Sequence, residues 1–503
     1  MEPPGPPRKM RKFDDASSSL LKHITWDTIL AETDIDKNET DIKGLFGVNL
    51  SAFYESSDEG ILTLLSFLGD RTIKTKILNA LNTVFKLGYK RVFTETNCPP
   101  PSTLGGVKGA SSNISKLGIR CHRPLHELHV ALQVQEFGMF MDKLDEGVTP
   151  SSIIIDKTLE VMLSLSKFTD ENTKTQELTQ ILIGMFSDCE VTVGSRSWGS
   201  SSSAKSDISV SFENRILVNF EMKRELASDG AEPNLKNIGY FIHFQRSNQN
   251  PRAPMVLVSI VGPHYLQVFG ATWFGDLVCV DPLCSPVSLL FVPQDPNEST
   301  LKLARLFHSL AFLIKKLKTP SININGEIGA PYYTHDSQLV NVTRMGQNKH
   351  VYEATMNGDQ VVLKFSTRYG IDVHNHLASN KLAPKVISHA KLSGKWYVTI
   401  MEKIDEIKSY EKNDTVVASL KSVLDCLKSK NYVHGDLRRP NILVLPDDTV
   451  RVLDFDWAGT EGIATYPIDL NLSSECGWRN DIERGQRITS GQDMYMLSSQ
   501  FPF

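Results

Sequence analysis

The stretch His434–Gly459 reads HGDLRRPNILVLPDDTVRVLDFDWAG and sets two acids and an amide at telling intervals. Asp436 follows His434 by two residues, and Asn441 follows Asp436 by five. Asp454 closes a strand-like run, Val450–Leu453, and is followed by Phe455. Phosphoryl transfer from a nucleotide can use such a set of groups: a base for the attacking hydroxyl, and an amide and a carboxylate for the metal ions that bridge the phosphates. Asp436 would be the base, with Asn441 and Asp454 as Mg²⁺ ligands.

A second constellation lies upstream. Ile208, Val210 and Phe212 alternate with polar residues, and so do Ile216, Val218, Phe220 and Met222. That period of two predicts two strands, each with one buried face, joined by a turn at Glu213-Asn214-Arg215. A three-residue turn pairs Phe212 with Ile216, Val210 with Val218 and Ile208 with Phe220, so apolar meets apolar at every rung. A two-residue turn would set apolar against polar. The favoured register places Asp207 opposite Glu221, with Lys223 two residues on along the same face. Two carboxylates ~5 Å apart favour a divalent cation or a shared proton. Mg²⁺ is typically held by one or two carboxylates plus phosphate oxygens. The plain alternative is a solvated strand face with an ordinary Glu/Lys pair.

Several elements must position these groups. The chain has 503 residues, long enough for about three domains. Its 41% hydrophobic and 22% charged residues are those of a globular protein. A net charge of −4 means that any nucleic-acid surface is a local patch. Seven cysteines without CxxC pairing fit a reducing compartment and argue against a disulfide framework. No apolar run reaches the roughly 18 residues of a membrane helix. Residues 1–20 read as a basic, Pro-rich tail in which Arg8, Lys9, Arg11 and Lys12 form either a nuclear-import patch or simply a solvated basic run. Residues 21–147 read as helical, including Gly60–Phe67, Thr72–Phe85 and His126–Lys143, with a Pro/Gly/Ser loop at Cys98–Ser115. His122, His126 and His129 share a spacing that zinc could use, but Pro124 interrupts it and no Cys pair follows. Amphipathic helices are expected at Ser151–Phe168 and Glu171–Phe186, strands at Met255–Val261 and Leu277–Val280, and a connecting helix at Leu301–Leu317.

The segment SDISVSFENRILVNFEMK resembles the core of the PD-(D/E)xK nuclease superfamily, which has the restriction-endonuclease-like fold. The resemblance implies Asp207 and Glu221 as metal ligands, Lys223 as the residue assisting attack, and Glu177 on the preceding helix as a further ligand. The helix EPNLKNIGYFIHFQ has the family's tyrosine at Tyr240, but Lys236 or Asn237 where glutamine is common, which weakens any role for that position. The C-terminal motif is similar to that of protein kinases. Val361–Lys364 then matches the strand whose lysine reaches ATP, and Arg344–Gln347 with Val351 a phosphate loop reduced to the single Gly346. Thr399–Glu402 matches the hinge, which makes Glu402 a nucleotide contact, and Arg438 would neutralise the transferred phosphate. No glutamate follows in Gly370–Pro384 to pair with Lys364, so Asp372, His374 or His376 would stand in. Asp456 replaces the glycine after Phe455, and Asp493 is the expected anchor of the Asp436 loop.

A nuclease of this type joined to a small kinase-like domain resembles the Crinkler effectors of oomycetes and fungi. The expected fold is α/β and α+β multidomain. A restriction-endonuclease-like core at 148–296 follows the helical region, an amphipathic linker spans 297–331, and a two-lobed kinase-like domain spans 332–503. The resemblance implies a DNA endonuclease using Mg²⁺ or Mn²⁺, with an ATP-binding domain that autophosphorylates or regulates it. It also implies DNA, ATP and host phosphoacceptor proteins as partners, a homodimer, no membrane, and a host nucleus reached after secretion. The alternative is a serine/threonine kinase or pseudokinase scaffold whose nuclease-like domain only binds partners or DNA.

Overall fold

The computed structural model describes residues 73, 76–77, 119–120, 128–167, 170–193, 206–213, 215–223, 232–246, 253–274, 277–291, 294–319, 331–335, 338–345, 350–473 and 476–501. The 1–20 tail, the helix expected at Gly60–Phe67, the loop 98–115, His122, His126 and Gly346 lie outside them.

The first part is a mixed sheet between helices. Its strands are β1 (Ile119–Arg120), β2 (Glu190–Val193), β3 (Ile208–Phe212), β4 (Arg215–Lys223), β5 (Met255–Val261), β6 (Tyr265–Phe274), β7 (Leu277–Pro282) and β8 (Val287–Ser288). They run in the order β1-β7-β6-β5-β4-β3-β2, with β8 beside β6. β4 and β5 are parallel neighbours, while β3–β4, β5–β6 and β6–β7 are antiparallel. The sequence MVLVSIV of β5 is nearly all apolar because both of its faces are covered.

Helices α1 (Val130–Gln133), α2 (Gln135–Asp145), α3 (Ser152–Ser166), α4 (Glu171–Met185), α5 (Pro233–Arg246) and α6 (Pro296–Lys318) do the covering. Phe137, Phe140, Val161, Leu178, Leu182, Phe307 and Leu310 share one core with Val218, Phe220 and Val258. On the opposite face, Ile238, Phe241 and Ile242 of α5 pack on Met255, Leu257 and Trp273. α6, expected as a connection, instead buries Leu303, Phe307, Leu310, Ile314 and Leu317 in the first core. The single helix expected over His126–Lys143 is broken at Val134, whose φ of −128° is extended. The break keeps α1 on the sheet, where Asp281 Oδ2 accepts the Val130 amide at 2.8 Å, while α2 turns onto α6. His129 caps α1 by accepting the Ala131 amide at 3.1 Å, a structural duty.

The second part begins with β9 (Leu339–Arg344), β10 (Val351–Met356), β11 (Asp359–Ser366), β12 (Val386–Lys391) and β13 (Tyr397–Glu402). They form an antiparallel sheet in the order β12-β13-β11-β10-β9, with α7 (Ile371–Ser379) between β11 and β12 in the chain. Next come α8 (Asp414–Ser429), β14 (Tyr432–Val433), β15 (Ile442–Val444), β16 (Val450–Val452), β17 (Gly459–Thr460) and α9 (Ser490–Gln500). One core lies against the sheet around Tyr352, Leu363, Phe365 and Ile400, and another joins α7, α8 and α9 through Leu377, Leu420, Val423 and Leu497. Among the described residues, no helix is long and apolar enough to cross a membrane.

Candidate functional sites

The loop His434–Asn441 is held from both ends. Asp493, in the first turn of α9, accepts the His434 amide at 2.6 Å and the Gly435 amide at 2.8 Å, the anchoring role expected of it. Burial pushes the Asp493 carboxyl up to about 7, although those two amides pull it down. Gly435 is required here: its φ is 84°, and a Cβ would meet Ile488 Cδ1 at 2.7 Å. Asn441 Nδ2 donates to Asp436 Oδ2 at 2.7 Å and to the Asp436 carbonyl at 3.0 Å. Arg438 forks onto the same carboxylate through Nε and through Nη2 at 3.0 Å. Its guanidinium lies 5.3 Å from the Trp478 ring and within electrostatic reach of Asp454.

The β15–β16 hairpin delivers the third group. Leu453 donates its amide to Asn441 O at 2.8 Å and accepts from His434 Nε2 at 3.1 Å, which ties the two segments together. Asp454 then adopts φ 67°, a left-handed conformation that costs a non-glycine residue ~1–3 kcal/mol and is typical of functional positions. Phe455 anchors it, buried against His374 at 4.2 Å and His434 at 5.1 Å between ring centroids.

Lys364 comes from β11. Its ammonium is ion-paired with Asp454 and lies 2.9 Å from Asp456 Oδ1. Burial alone would pull Lys364 down, but Asp456 and Asp454 outweigh it and hold the ammonium above its ordinary value. Val351 is the direct cross-strand neighbour of Lys364, so both side chains stand on one face of the sheet. Lys364, Asp436, Asn441 and Asp454 are thus brought together from three separate stretches of chain.

One expectation needs correction. None of the proposed stand-ins pairs with Lys364. His374 is fully buried, with Tyr369 Oη at 2.7 Å from Nδ1 and Pro384 O at 2.8 Å from Nε2, and burial lowers it to about 4. His376 turns to Cys426 O at 3.0 Å, and Asp372 acts electrostatically on His389. Glu402 accepts the Lys385 amide on Oε1 at 2.8 Å and donates its own amide to Lys385 O at 3.0 Å, so it closes the β12–β13 pair.

The β3–β4 hairpin carries the other site. Ile208 pairs with Phe220 and Val210 with Val218, as the alternation required. The connection is nevertheless shorter than the three residues expected. Phe212 pairs with Arg215 and Ser211 with Ile216, which leaves Leu217 as an extra residue, a bulge. The bulge restores the apolar register that a short turn would have lost. Asp207 directly precedes the first rung, Ile208–Phe220, and lies within electrostatic reach of Glu221.

The face that carries these groups is not solvated, because α5 lies over it. Glu221 is fully buried, and Lys223 and Asn219 are buried beside it. Asn219 Nδ2 donates to Asn237 Oδ1 of α5 at 2.7 Å, and Asn237 Nδ2 donates to Val258 O at 3.0 Å. Asp207 Oδ2 accepts the Met222 amide at 2.6 Å. Glu221 is ion-paired with Lys236 of α5 and lies 3.7 Å from Lys223, yet neither of its oxygens accepts a hydrogen bond of ordinary geometry. Burial, then the charge of Asp207, pushes Glu221 up to about 8 against the pull of both lysines. Burial also raises Asp207. Burial lowers the Lys236 ammonium, but Glu221 outweighs it and holds it above its ordinary value.

Glu177 does not join this cluster: its carboxylate accepts from Ser164 Oγ of α3 at 2.6 Å. The α4 carboxylate that faces the hairpin is Glu171, 3.8 Å from Lys223 Nζ. Lys236, discounted because it replaces a glutamine, is in direct contact with Glu221. Its spacing of one helical turn from Tyr240 was the available signal, and its ammonium lies 5.8 Å from the Tyr240 ring. Among the described residues, no cluster of three or more His, Cys, Asp or Glu has the geometry to hold a metal.

No protein-family model and no curated protein matches this chain. Among solved structures, it is similar to the kinase PK-1 of Cydia pomonella granulovirus, with 15% identity and a TM-score of 0.27, over 33% of this chain and 69% of that one.

Proposed function

We propose that residues 332–503 form a protein-kinase-like domain that binds ATP with Mg²⁺, and that residues 148–296 carry a metal-dependent DNA endonuclease. The observation that carries the first half is the assembly of Lys364 on Asp454 beside the Asp436–Asn441 pair. Lys364 would hold the nucleotide phosphates, Asp454 and Asn441 the metal, and Asp436 the proton of an acceptor hydroxyl. The residues fit a metal, because Asp454 already balances one cation and remains partly exposed. Arg438 must leave Asp436 before that carboxylate can accept a proton, and a phosphate is the natural competitor for its fork. Asp454→Ala should abolish Mg²⁺-dependent ATP binding in calorimetry, and binding equal to wild type would refute the assignment. Phosphotransfer is read separately with labelled ATP, where Asp436→Asn should lose incorporation and retain binding.

The second half rests on Asp207 and Glu221. Two adjacent carboxyls with raised affinity for protons, one lacking ordinary hydrogen bonds, fit a divalent cation. Asp207 and Glu221 would hold it, and Lys223 would orient water. A bound metal supplies a more acidic water and charge stabilisation at phosphorus. Plasmid nicking with Mg²⁺ or Mn²⁺ should be lost in Glu221→Ala. A variant that nicks as fast as wild type leaves the hairpin structural and favours the alternative, a kinase or pseudokinase scaffold. Both domains on one chain are what the Crinkler resemblance implies. A host nucleus, host phosphoacceptors and a homodimer belong to the same reading.

A further inference from the structure

We propose that Asp456 is the positioning residue of Lys364, and that by holding the lysine it releases Asp454 to take the metal. This rests on the nucleotide-binding reading above. The Lys364 ammonium sits between two carboxylates, paired with Asp454 and 2.9 Å from Asp456 Oδ1. Lys364 is buried, and a buried ammonium without a partner is costly. A metal ion on Asp454 competes with Lys364 for the charge of that carboxylate, of which the lysine holds Oδ1. With Asp454 as sole partner, metal binding would strip the lysine at the moment it is needed at the phosphates. Asp456 removes the conflict.

Among the described residues, Asp454 and Asp456 are the carboxylates ion-paired with Lys364, and the Tyr369 ring lies 5.8 Å from its ammonium. The buried polar side chain of α7 is His374, committed to Tyr369 and to Pro384 O. The backbone that carries Asp456 is clamped. Arg368 Nε donates to Asp456 O at 2.8 Å and its Nη2 to Thr465 O at 2.7 Å. The Gly370 amide donates to Phe455 O at 2.8 Å, and Gly370 packs so closely that a Cβ would meet Ala458 C at 2.8 Å. The short connection from β11 to α7 therefore fixes Asp456 relative to the strand that carries Lys364.

The test is a double-mutant cycle in the full chain, read by calorimetric Mg·ATP binding. Asp456→Asn should weaken binding about tenfold, within the range of coupling between groups in contact. In a Lys364→Met background the same change should have no further effect, because the residue it positions is gone. An equal loss in both backgrounds would overturn the proposal and make Asp456 a metal ligand or a structural group. No loss in either background would overturn it as well. Asp456→Glu, which keeps the charge, should recover most of the affinity, and failure to do so counts against positioning. A wild-type chain that binds no Mg·ATP overturns both this proposal and the reading beneath it.

Discussion

Glu221 shows how a single side chain can report a site. A carboxyl that titrates higher in the fold than in the unfolded chain binds its proton more tightly when folded. Its contribution to stability is therefore complete below the ordinary value of 4.5 and is lost as pH rises to about 8. Asp207 is raised as well and adds in the same sense. Denaturation midpoints should fall across that window, and Glu221→Gln, which cannot titrate, should flatten the fall. A divalent cation competes for the same oxygens, so Mn²⁺ added at pH 7 should displace protons and give a heat that depends on the buffer. Midpoints with the same pH dependence in wild type and Glu221→Gln would show that this carboxyl is not the titrating group. The sequence alone made the Asp207–Glu221 juxtaposition legible, because the rungs Ile208–Phe220 and Val210–Val218 follow from alternation. Their burial was not legible, since it is imposed by α5 from another part of the chain.

At the scale of the element, α5 and the hairpin are joined by a polar seam inside an otherwise apolar contact. Asn219, fully buried, reaches Asn237, which reaches Val258 O across the parallel β4–β5 pair. Asn237→Ala should destabilise the fold by about 1–3 kcal/mol, the cost of leaving a buried amide unpaired, measured by denaturant unfolding. A change below a few tenths would mean that water replaces Asn237 and that the seam is not closed. The two-residue connection and the Leu217 bulge escaped sequence reasoning because they compensate each other: either alone inverts the face of the strand, and together they leave the pattern unchanged. Glu171 and Glu177 were likewise inseparable by pattern, as both lie on α4 and only packing against α3 assigns Glu177 to Ser164. In the Asp436 loop, by contrast, spacing alone sufficed for Asp436 and Asn441, because five residues close a local turn that needs no distant partner. The partner of Lys364 was misjudged since Asp456 lies 92 residues away, at a position expected to be glycine.

At the scale of the whole molecule, the two parts of the chain meet at the turn between β12 and β13. Gly394 donates its amide to Asp142 Oδ2 of α2 at 3.0 Å, and Lys395 pairs with Asp145 at 2.6 Å. Leu128 and Leu132 of the first part lie in the core beneath the five-stranded sheet of the second. The packing is tight at Gly138, where a Cβ would lie 2.8 Å from the Ser393 carbonyl carbon. That contact is to backbone, which cannot swing aside as a flexible side chain would. α2 cannot retreat either, because Phe137 and Phe140 on it are fully buried against the first sheet. Gly138→Val should therefore push the turn off α2 and break both polar contacts without opening either core. Wild type should melt in one coupled calorimetric transition, and Gly138→Val should separate it into two, with Mg·ATP affinity little changed. The Lys395–Asp145 pair is exposed and should contribute less than ~1 kcal/mol, so Lys395→Ala should leave the transitions coupled. A Gly138→Val chain that melts like wild type would mean that Leu128 and Leu132 alone hold the parts together, and that the turn rests on α2 without joining it.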